Sequence, residues 1–294
     1  MQIRATYGPE SISLPRAQPF PALAAWLVAH DTYELQNSSL LPARITLGGS
    51  LAAYPLFDQG QAPMRERWLD DVVAQVGTGL FDGVFADRAH NLTNWGPDAR
   101  LSPAQSSAWQ AGHRALLAAA EAAMAAVNGT ALENNRLASG VQAAMFEDFG
   151  ASDACIRALQ AAADADTLVE AHAGDLPGGS DQGCVGITNS LAAFLVGAGR
   201  KAYYGCSKSW ATNPAWPAVP DSWLDPRPEY TRPLGLPEGP AALSGSLWTR
   251  NFSAGVAVFF DAAAGTGRIV WADGTVQQGS GPADTKASCA WLTN

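Results

Sequence analysis

Charged side chains are scarce in this chain of 294 residues, since Asp, Glu, Lys and Arg together make up 15% of it. Lys and Arg number 18 against 27 Asp and Glu, so the formal net charge is −9 and no basic stripe could neutralise a phosphate backbone. No apolar run approaches the length of a membrane span. We therefore expect no nucleic-acid partner and no membrane partner. An acidic polymer would be repelled overall, although a local cluster of Arg could overcome that repulsion.

Several short motifs that are typical of zinc sites, nucleotide sites or serine nucleophiles are also missing. There is no CxxC or HxxxH pair, no GxGxxG or GxxxxGK[ST] loop, and no GxSxG turn. The sequence therefore predicts no cofactor and no metal, although clustered carboxylates that hold Mg²⁺ or Ca²⁺ stay open as an alternative. The four cysteines are widely spaced and allow one or two disulfides, with Cys184–Cys206 as the first expectation.

Strand-like apolar runs alternate with helical periodicity between residues 43 and 205, an order typical of α/β proteins with a parallel sheet. The predicted strands are 43–47, 83–87, 130–133, 141–147, 167–171 and 201–204, and the predicted helices are 64–76, 103–127, 153–163 (with Asp153 as the cap) and 188–196. The pattern predicts a (β/α)8, TIM-barrel-like fold. Since about six good strands stand against the eight that a closed barrel needs, either the N-terminal arm supplies the others or the chain begins inside the fold.

The last third of the chain changes character. Residues 210–240 are rich in Pro and Trp and predict a long ordered loop or a lid. Apolar segments after residue 246, separated by turn signals, indicate a series of antiparallel hairpins. We therefore expect a barrel-like catalytic domain over 1–240, which includes the N-terminal arm and this loop, and a small antiparallel β-appendage over 241–294 that packs on the barrel.

Acidic and amide side chains stand where the predicted strands end. Because parallel strands end at one rim, we expect these side chains to form the floor of a sugar-binding site. Two carboxylates with separated pKa values are what glycoside hydrolysis requires. A single acid of this kind is more often a helix cap or half of an ion pair, which would be the interpretation of Asp87-Arg88 taken alone. The strand-end residues are Asp87, Glu133, Asn134, Asn135, Glu147, Asp148, Glu170 and His172.

The ten tryptophans form a second group of candidates. Their rings can stack on sugar faces, but Trp is equally a core and interface residue. Trp95, Trp210, Trp216 and Trp223 are the candidates for stacking on sugar rings.

Several segments together resemble glycoside-hydrolase-like TIM-barrel families. They are Tyr54-Pro-Leu-Phe-Asp58, Arg65-x-x-Trp68, Phe81-Asp-Gly-Val-Phe-Ala-Asp87-Arg88, Phe146-Glu147 and the stretch from Arg250 through Phe252 and Gly255 to Val258. In such families a DGxFxD segment closes a central strand and supplies the catalytic Asp, and an acid follows on a later strand. The last stretch is similar to a segment that leads into their small β-appendage. The resemblance covers about residues 50–275.

The resemblance implies roles for individual residues. Asp87 would be the nucleophile or the general base and Glu147 the general acid. From their own place at a strand end, we expect Glu170 and His172 to support or replace them. Arg88 would pair with Asp87. Substrate binding is predicted for Arg88, Glu133, Asn134, Glu170, His172, Trp95, Trp210 and Tyr204.

The sequence thus predicts a glycoside hydrolase that cleaves a polysaccharide or glycoconjugate with a carboxylate pair at the strand rim. A non-catalytic carbohydrate-binding pseudoenzyme and an incomplete barrel from a truncated gene model stay open as alternatives. N-glycosylation sequons at Asn37, Asn91, Asn128 and Asn251 slightly favour an extracellular or secretory location, although no signal peptide is visible at the N-terminus. The oligomeric state is left open.

Overall fold

The computed structural model describes residues 44–46, 53–55, 57–87, 89, 101–138, 140–147, 149–173, 187–206, 227–279 and 289. The chain divides into two compact units, Met1–Asn134 and Asn135–Asn294. The first forty residues and residues 207–226, which include the first part of the predicted Pro- and Trp-rich loop, lie outside the described residues. The predicted boundary at residue 240 stays a prediction.

The first unit contains short strands and two long helices. The elements are β1 (Arg44–Thr46), β2 (Ala53–Pro55), α1 (Ala62–Gly77), β3 (Gly83–Ala86), α2 (Pro103–Ala126) and β4 (Thr130–Asn134). Strands β1 and β2 are antiparallel, whereas β3 and β4 are parallel. The predicted helices and strands of this region are confirmed to within a few residues, and β2 is an addition.

Helix α1 forms because its large apolar side chains recur at every fourth position and reach one core. Its buried residues are Met64, Trp68, Val72 and Val76. Helix α2 begins at Ser102 with a capping box, as the sequence favours. The Ser102 hydroxyl accepts from the Gln105 N–H, and the Gln105 side chain accepts from the Ser102 N–H.

Gly83, at the start of β3, permits the close approach of β4. A Cβ atom at this position would lie 2.0 Å from the Thr130 carbonyl oxygen, so any other residue would separate the two strands. The glycine of the DGxFxD segment is therefore needed for the packing of β3 against β4. Asp87 directly follows the carboxyl end of β3.

The second unit begins with parallel strands and helices. Its elements are β5 (Ala143–Phe146), α3 (Asp153–Asp164), β6 (Leu168–Ala173), α4 (Thr188–Gly197) and β7 (Ala202–Cys206), with the strands in the order β5-β6-β7. Strand β5 is buried along its whole length, as its continuous apolar sequence predicts. The cap of α3 is Ser152, whose hydroxyl accepts from the Cys155 N–H, and not the predicted Asp153, which lies in the first turn.

The chain then forms the separate antiparallel sheet that the sequence predicts. A 3-10 helix (Pro228–Thr231) precedes β8 (Ala242–Ser244), β9 (Leu247–Phe252), β10 (Val256–Asp261), β11 (Thr266–Val270) and β12 (Val276–Gln278). The strands follow one another in space in the order of the chain. Burial alternates along β10, where Val256, Val258 and Phe260 are buried.

This antiparallel sheet shares one core with α3 and α4. Arg250 on β9 donates from one guanidinium nitrogen to the carbonyls of Leu195, Val196 and Ala198 at the end of α4, the last at 2.6 Å. A cation at this end also complements the helix dipole. The β11 backbone approaches the start of the same helix, where the Gly267 N–H donates to Asn189 Oδ1. The arginine of the predicted appendage motif therefore holds the sheet against α4.

A disulfide joins Cys155, in the first turn of α3, to Cys289 near the end of the chain. Cys206 is also disulfide-bonded, while Cys184 lies outside the described residues, so the predicted Cys184–Cys206 pairing stays a prediction. The Cys155–Cys289 bond was not expected from spacing, because the two cysteines are separated by 134 residues.

The coarse fold prediction is confirmed, since the described residues combine parallel strands and helices with a separate antiparallel sheet. Closure into a barrel stays a prediction, because the described residues contain five strands with parallel partners and a closed barrel needs eight. Among the helices of the described residues, none is both long and apolar enough to cross a membrane.

Candidate active site

Each parallel strand has one face that packs against the helices of its own unit. In the first unit Val84 and Ala131 are register partners and belong to the core with α1 and α2. In the second unit Ala144 and Val169 are register partners and belong to the core with α3 and α4. Since side chains alternate along a strand, the residues one step away point to the other side. We call this other side the opposite face.

Asp87 directly follows β3, and an amide from β4 holds its side chain. Asn134 Nδ2 donates a 2.9 Å hydrogen bond to Asp87 Oδ1. By the strand register both residues belong to the opposite face of the first unit. Asn134 is fully buried, whereas Asp87 is half-buried. A neutral donor orients the carboxylate without cancelling its charge.

Glu147 directly follows β5, and the Asn135 amide binds it twice. Asn135 Oδ1 accepts a 2.9 Å hydrogen bond from the Glu147 N–H, and Asn135 Nδ2 donates over 3.4 Å to Glu147 Oε2. Asn135 itself has a φ of 58°, a left-handed conformation that Asn adopts more readily than most residues. The amide therefore fixes the backbone and the side chain of Glu147 together.

Glu170 lies on β6 between Met145 of β5 and Tyr203 of β7, its register partners. It belongs to the opposite face, because Val169 and Ala171 enter the helix core. Its half-buried carboxyl group makes no hydrogen bond or ion pair with the described part of the chain, and burial raises its pKa. A carboxyl group in this state can donate a proton nearer to neutral pH than an ordinary Glu.

His172 follows Glu170 on the same face of β6 and is fully buried. Burial lowers the pKa of its imidazole to about 4, so the ring is neutral at pH 7. Its carbonyl oxygen accepts from the Phe149 N–H, which ties the segment after Glu147 to β6. Continuing the β5–β6 register by one residue places Glu147 opposite His172.

Two predicted binding residues lie on the helix-covered side. Glu133 is the register partner of Ala86 and lies two residues after Ala131, so it is on the same face of β4 as Ala131. It is fully buried. The Tyr204 hydroxyl is 2.6 Å from Ser190 Oγ on α4, and its ring packs on Phe194. Burial raises the pKa of the Tyr204 phenol. Their roles in substrate binding stay predictions that this placement does not favour.

The remaining predicted residues lie outside the described residues, and they are Arg88, Asp148, Trp95, Trp210, Trp216 and Trp223. The sequence reasoning also missed one residue on the opposite face, Tyr203, which stands beside Glu170. Strict alternation along β7 would have found it, because Tyr203 and Tyr204 must point to opposite sides.

The described carboxyl groups suit acid–base chemistry. Within the described ranges no group of three or more His, Cys, Asp or Glu side chains could hold a metal ion. What these ranges do present is a set of carboxyl groups at or near the ends of parallel strands, two of them oriented by amides and one protonated more readily than usual. Such groups can donate protons, accept them or attack carbon.

These features define an α/β protein that carries acidic groups at the carboxyl ends of parallel strands. Residues 53–256 match a family described as "Hypothetical glycosyl hydrolase family 15". The chain belongs to this family, which confirms the resemblance to glycoside-hydrolase-like proteins. No curated protein matches the chain.

Two solved structures are similar to part of the chain. They are the glycoside hydrolase domain of PelA from Pseudomonas aeruginosa and a variant of that domain. Each has 13% sequence identity and a TM-score of 0.36, over 56% of this chain and 67% of the other.

Proposed function

We propose that the protein is a glycoside hydrolase that cleaves a polysaccharide or a glycoconjugate. The observation that carries the proposal is the Asp87 carboxylate at the end of β3, half-exposed on the opposite face and oriented by the buried Asn134 amide. Membership of a glycosyl hydrolase family supplies the reaction class. The excess of acidic residues fits a neutral carbohydrate better than an anionic one.

Asp87 acts in this proposal as the nucleophile or as the general base. Both roles need an ionised carboxylate in a fixed orientation, and the hydrogen bond from Asn134 provides that orientation. Glu147 acts as the general acid that protonates the leaving oxygen. Its two contacts with Asn135 support this role, because a proton donor must keep one position relative to the glycosidic bond.

Glu170 is the second candidate for the general acid. One observation favours it, namely that burial raises the pKa of its carboxyl group, as a proton donor near neutral pH requires. The neutral His172 ring would then support Glu170 as a polar neighbour on the same strand.

An oxidising compartment is part of the proposal. Cys155 and Cys289 form a disulfide and Cys206 is bonded as well, and disulfides of this kind persist mainly in extracellular and secretory environments.

Hydrolysis of a panel of neutral glycans and of aryl glycosides tests the assignment. Asp87→Asn should lower kcat by about 10³-fold or more on every substrate that the wild type cleaves, because the ionised carboxylate is lost. Glu147→Gln should lower kcat by about 10²- to 10⁴-fold on glycans but far less on aryl glycosides, whose leaving groups need no proton. Asp166→Asn is the matched control, since this exposed acid pairs with Lys201 and should keep full activity.

The outcomes separate the candidates. Retained activity in both Asp87→Asn and Glu147→Gln would refute the assignment. If Glu170→Gln and not Glu147→Gln shows the leaving-group dependence, Glu170 is the general acid. Glycan binding without any turnover would instead support the non-catalytic carbohydrate-binding alternative.

A further inference from the structure

Tyr203 is an exposed aromatic residue on the opposite face of the second unit. Its side chain is 60% exposed, and its register partner on β6 is Glu170. The next residue, Tyr204, is packed against Phe194 on the helix-covered side. Strand β7 therefore turns one aromatic ring into the core and presents the other to solvent beside a carboxyl group.

On β7 the opposite face continues from Tyr203 toward the carboxyl end of the strand. The next residue on this face is Gly205, which has no side chain, and its register partner is His172. Glu170 has neither a hydrogen-bond partner nor a counter-charge among the described residues. An exposed ring and a carboxyl group without a described partner therefore stand side by side on β6 and β7.

We propose that Tyr203 and Glu170 form a sugar-binding subsite, in which the phenol ring stacks on one face of a sugar and the carboxyl group hydrogen-bonds a sugar hydroxyl. The inference rests on the proposed function, which supplies the class of substrate. A Tyr ring offers a broad apolar surface that loses little conformational entropy on binding. A carboxylate beside it accepts hydrogen bonds from hydroxyl groups that project from the sugar edge.

Other titratable groups surround this subsite. His172 follows on β6, and the β5 register places Glu147 opposite His172. Because burial lowers the pKa of His172 to about 4, its ring carries no charge at neutral pH and does not form an ion pair with Glu170. The Glu170 carboxyl group therefore stays free to bind a hydroxyl across the neutral pH range.

Binding measured without turnover tests the subsite. The full chain carrying Asp87→Asn is titrated calorimetrically with cellotetraose, chitotetraose and maltotetraose. Adding Tyr203→Ala should raise the Kd of the oligosaccharide that binds by about tenfold, whereas Tyr203→Phe, which keeps the ring, should change it by less than about twofold. In the active chain, Tyr203→Ala should raise KM more than it lowers kcat.

Leu236→Ala is the matched control, because Leu236 is also 60% exposed and lies outside β5, β6 and β7. It should leave the Kd unchanged, and the Tyr203 and Leu236 variants should keep the thermal midpoint of their parent chain because both side chains are exposed. If the wild type cleaves a glycan but Tyr203→Ala leaves Kd and KM unchanged, the subsite is refuted and the proposed function stands. If the wild type neither binds nor cleaves any of the glycans, the proposed function fails and the subsite with it.

Discussion

The antiparallel sheet and the carboxyl ends of the parallel strands use charged side chains in opposite ways. In the antiparallel sheet several charged side chains bind partners that hold the fold together. Arg250 donates to the last carbonyls of α4, and Arg232 lies over the Trp271 ring and within 3.5 Å of Asp273. Asp261 closes a turn, where the Ser246 hydroxyl and backbone N–H groups lower the pKa of its carboxyl group.

The parallel strands hold two titratable groups, Glu170 and His172, at a cost. Asp87 and Glu147 are bound by neutral amides, Glu170 has no described partner, and burial holds His172 in its neutral form. Burial makes the charged forms of Glu170 and His172 unfavourable. The difference shows where stability and function separate in this chain. Removing a charge from the antiparallel sheet should lower the free energy of unfolding, whereas removing a buried titratable group from the strand ends should raise it under conditions that charge that group.

Lowering the pH should cause the largest loss in the free energy of unfolding, and this loss comes from His172. The folded protein holds the pKa of this ring at about 4, below the ordinary 6.5, so the unfolded chain binds the proton more readily. His172 therefore contributes stability that is present above pH 6.5 and is lost as the pH falls toward 4. The loss should reach about 3 kcal/mol, measured as the free energy of unfolding in urea at half-unit pH steps.

His172→Gln should remove this part of the pH dependence while keeping a polar side chain. The difference between wild type and variant isolates the histidine from the carboxyl groups that titrate in the same range. If the free energy of unfolding falls with the same slope between pH 6.5 and 4 in wild type and variant, His172 gains its proton without loss of stability. The contrast between the sheet and the strand ends would then lose its main support.

Arg250→Met should give the next largest effect, a loss of about 2 kcal/mol in the free energy of unfolding. The variant leaves the α4 carbonyls that Arg250 binds without their donor, and a hydrogen bond to a charged group contributes about 1.5–3 kcal/mol. Chemical denaturation measures the loss. Activity per folded molecule should not change, because the contacts of Arg250 are with the end of α4, the Gly239 carbonyl and the Phe252 ring, and not with the ends of the parallel strands.

Arg268→Met is the matched control for Arg250. Its guanidinium group lies 4.1 Å from the Phe259 ring centroid, a cation–π contact that should contribute less than about 1 kcal/mol. Equal losses in the two variants would mean that the bonds to the α4 carbonyls add nothing beyond packing.

Most of the local structure could be predicted because its signals are local. The four-residue spacing of Trp68, Val72 and Val76 predicts α1, and Ser102 before a proline predicts the start of α2. The unbroken apolar run in β5 likewise predicts a strand buried on both faces. The separation of 134 residues between Cys155 and Cys289 carries no such local signal, so that disulfide could not be predicted.

The candidate site could be predicted in part. Strand ends predict Asp87 and Glu147 correctly as residues that follow β3 and β5. The sequence does not show which face of a strand a residue occupies, and a shift of one residue reverses that face. Strand β4 extends to Asn134, so Glu133 lies within it on the helix-covered side. For the same reason the sequence does not distinguish Tyr204, which contacts α4, from Tyr203 on the opposite face.

Glu170→Gln should give the smallest change in the free energy of unfolding. Unlike Arg250→Met, it should raise stability. Since burial raises the pKa of Glu170 above 4.5, the folded state binds its proton more tightly than the unfolded chain, and stability falls as the pH rises through that range. The variant should therefore be more stable than the wild type at pH 7, by less than about 1 kcal/mol, and the gain should vanish near pH 4. Asp166→Asn, which replaces an exposed and paired acid, should show no such gain. A Glu170→Gln variant that is less stable at pH 7 would mean that the carboxylate stabilises the strand end, and Glu170 would then belong with Arg250 among the charges that hold the fold together.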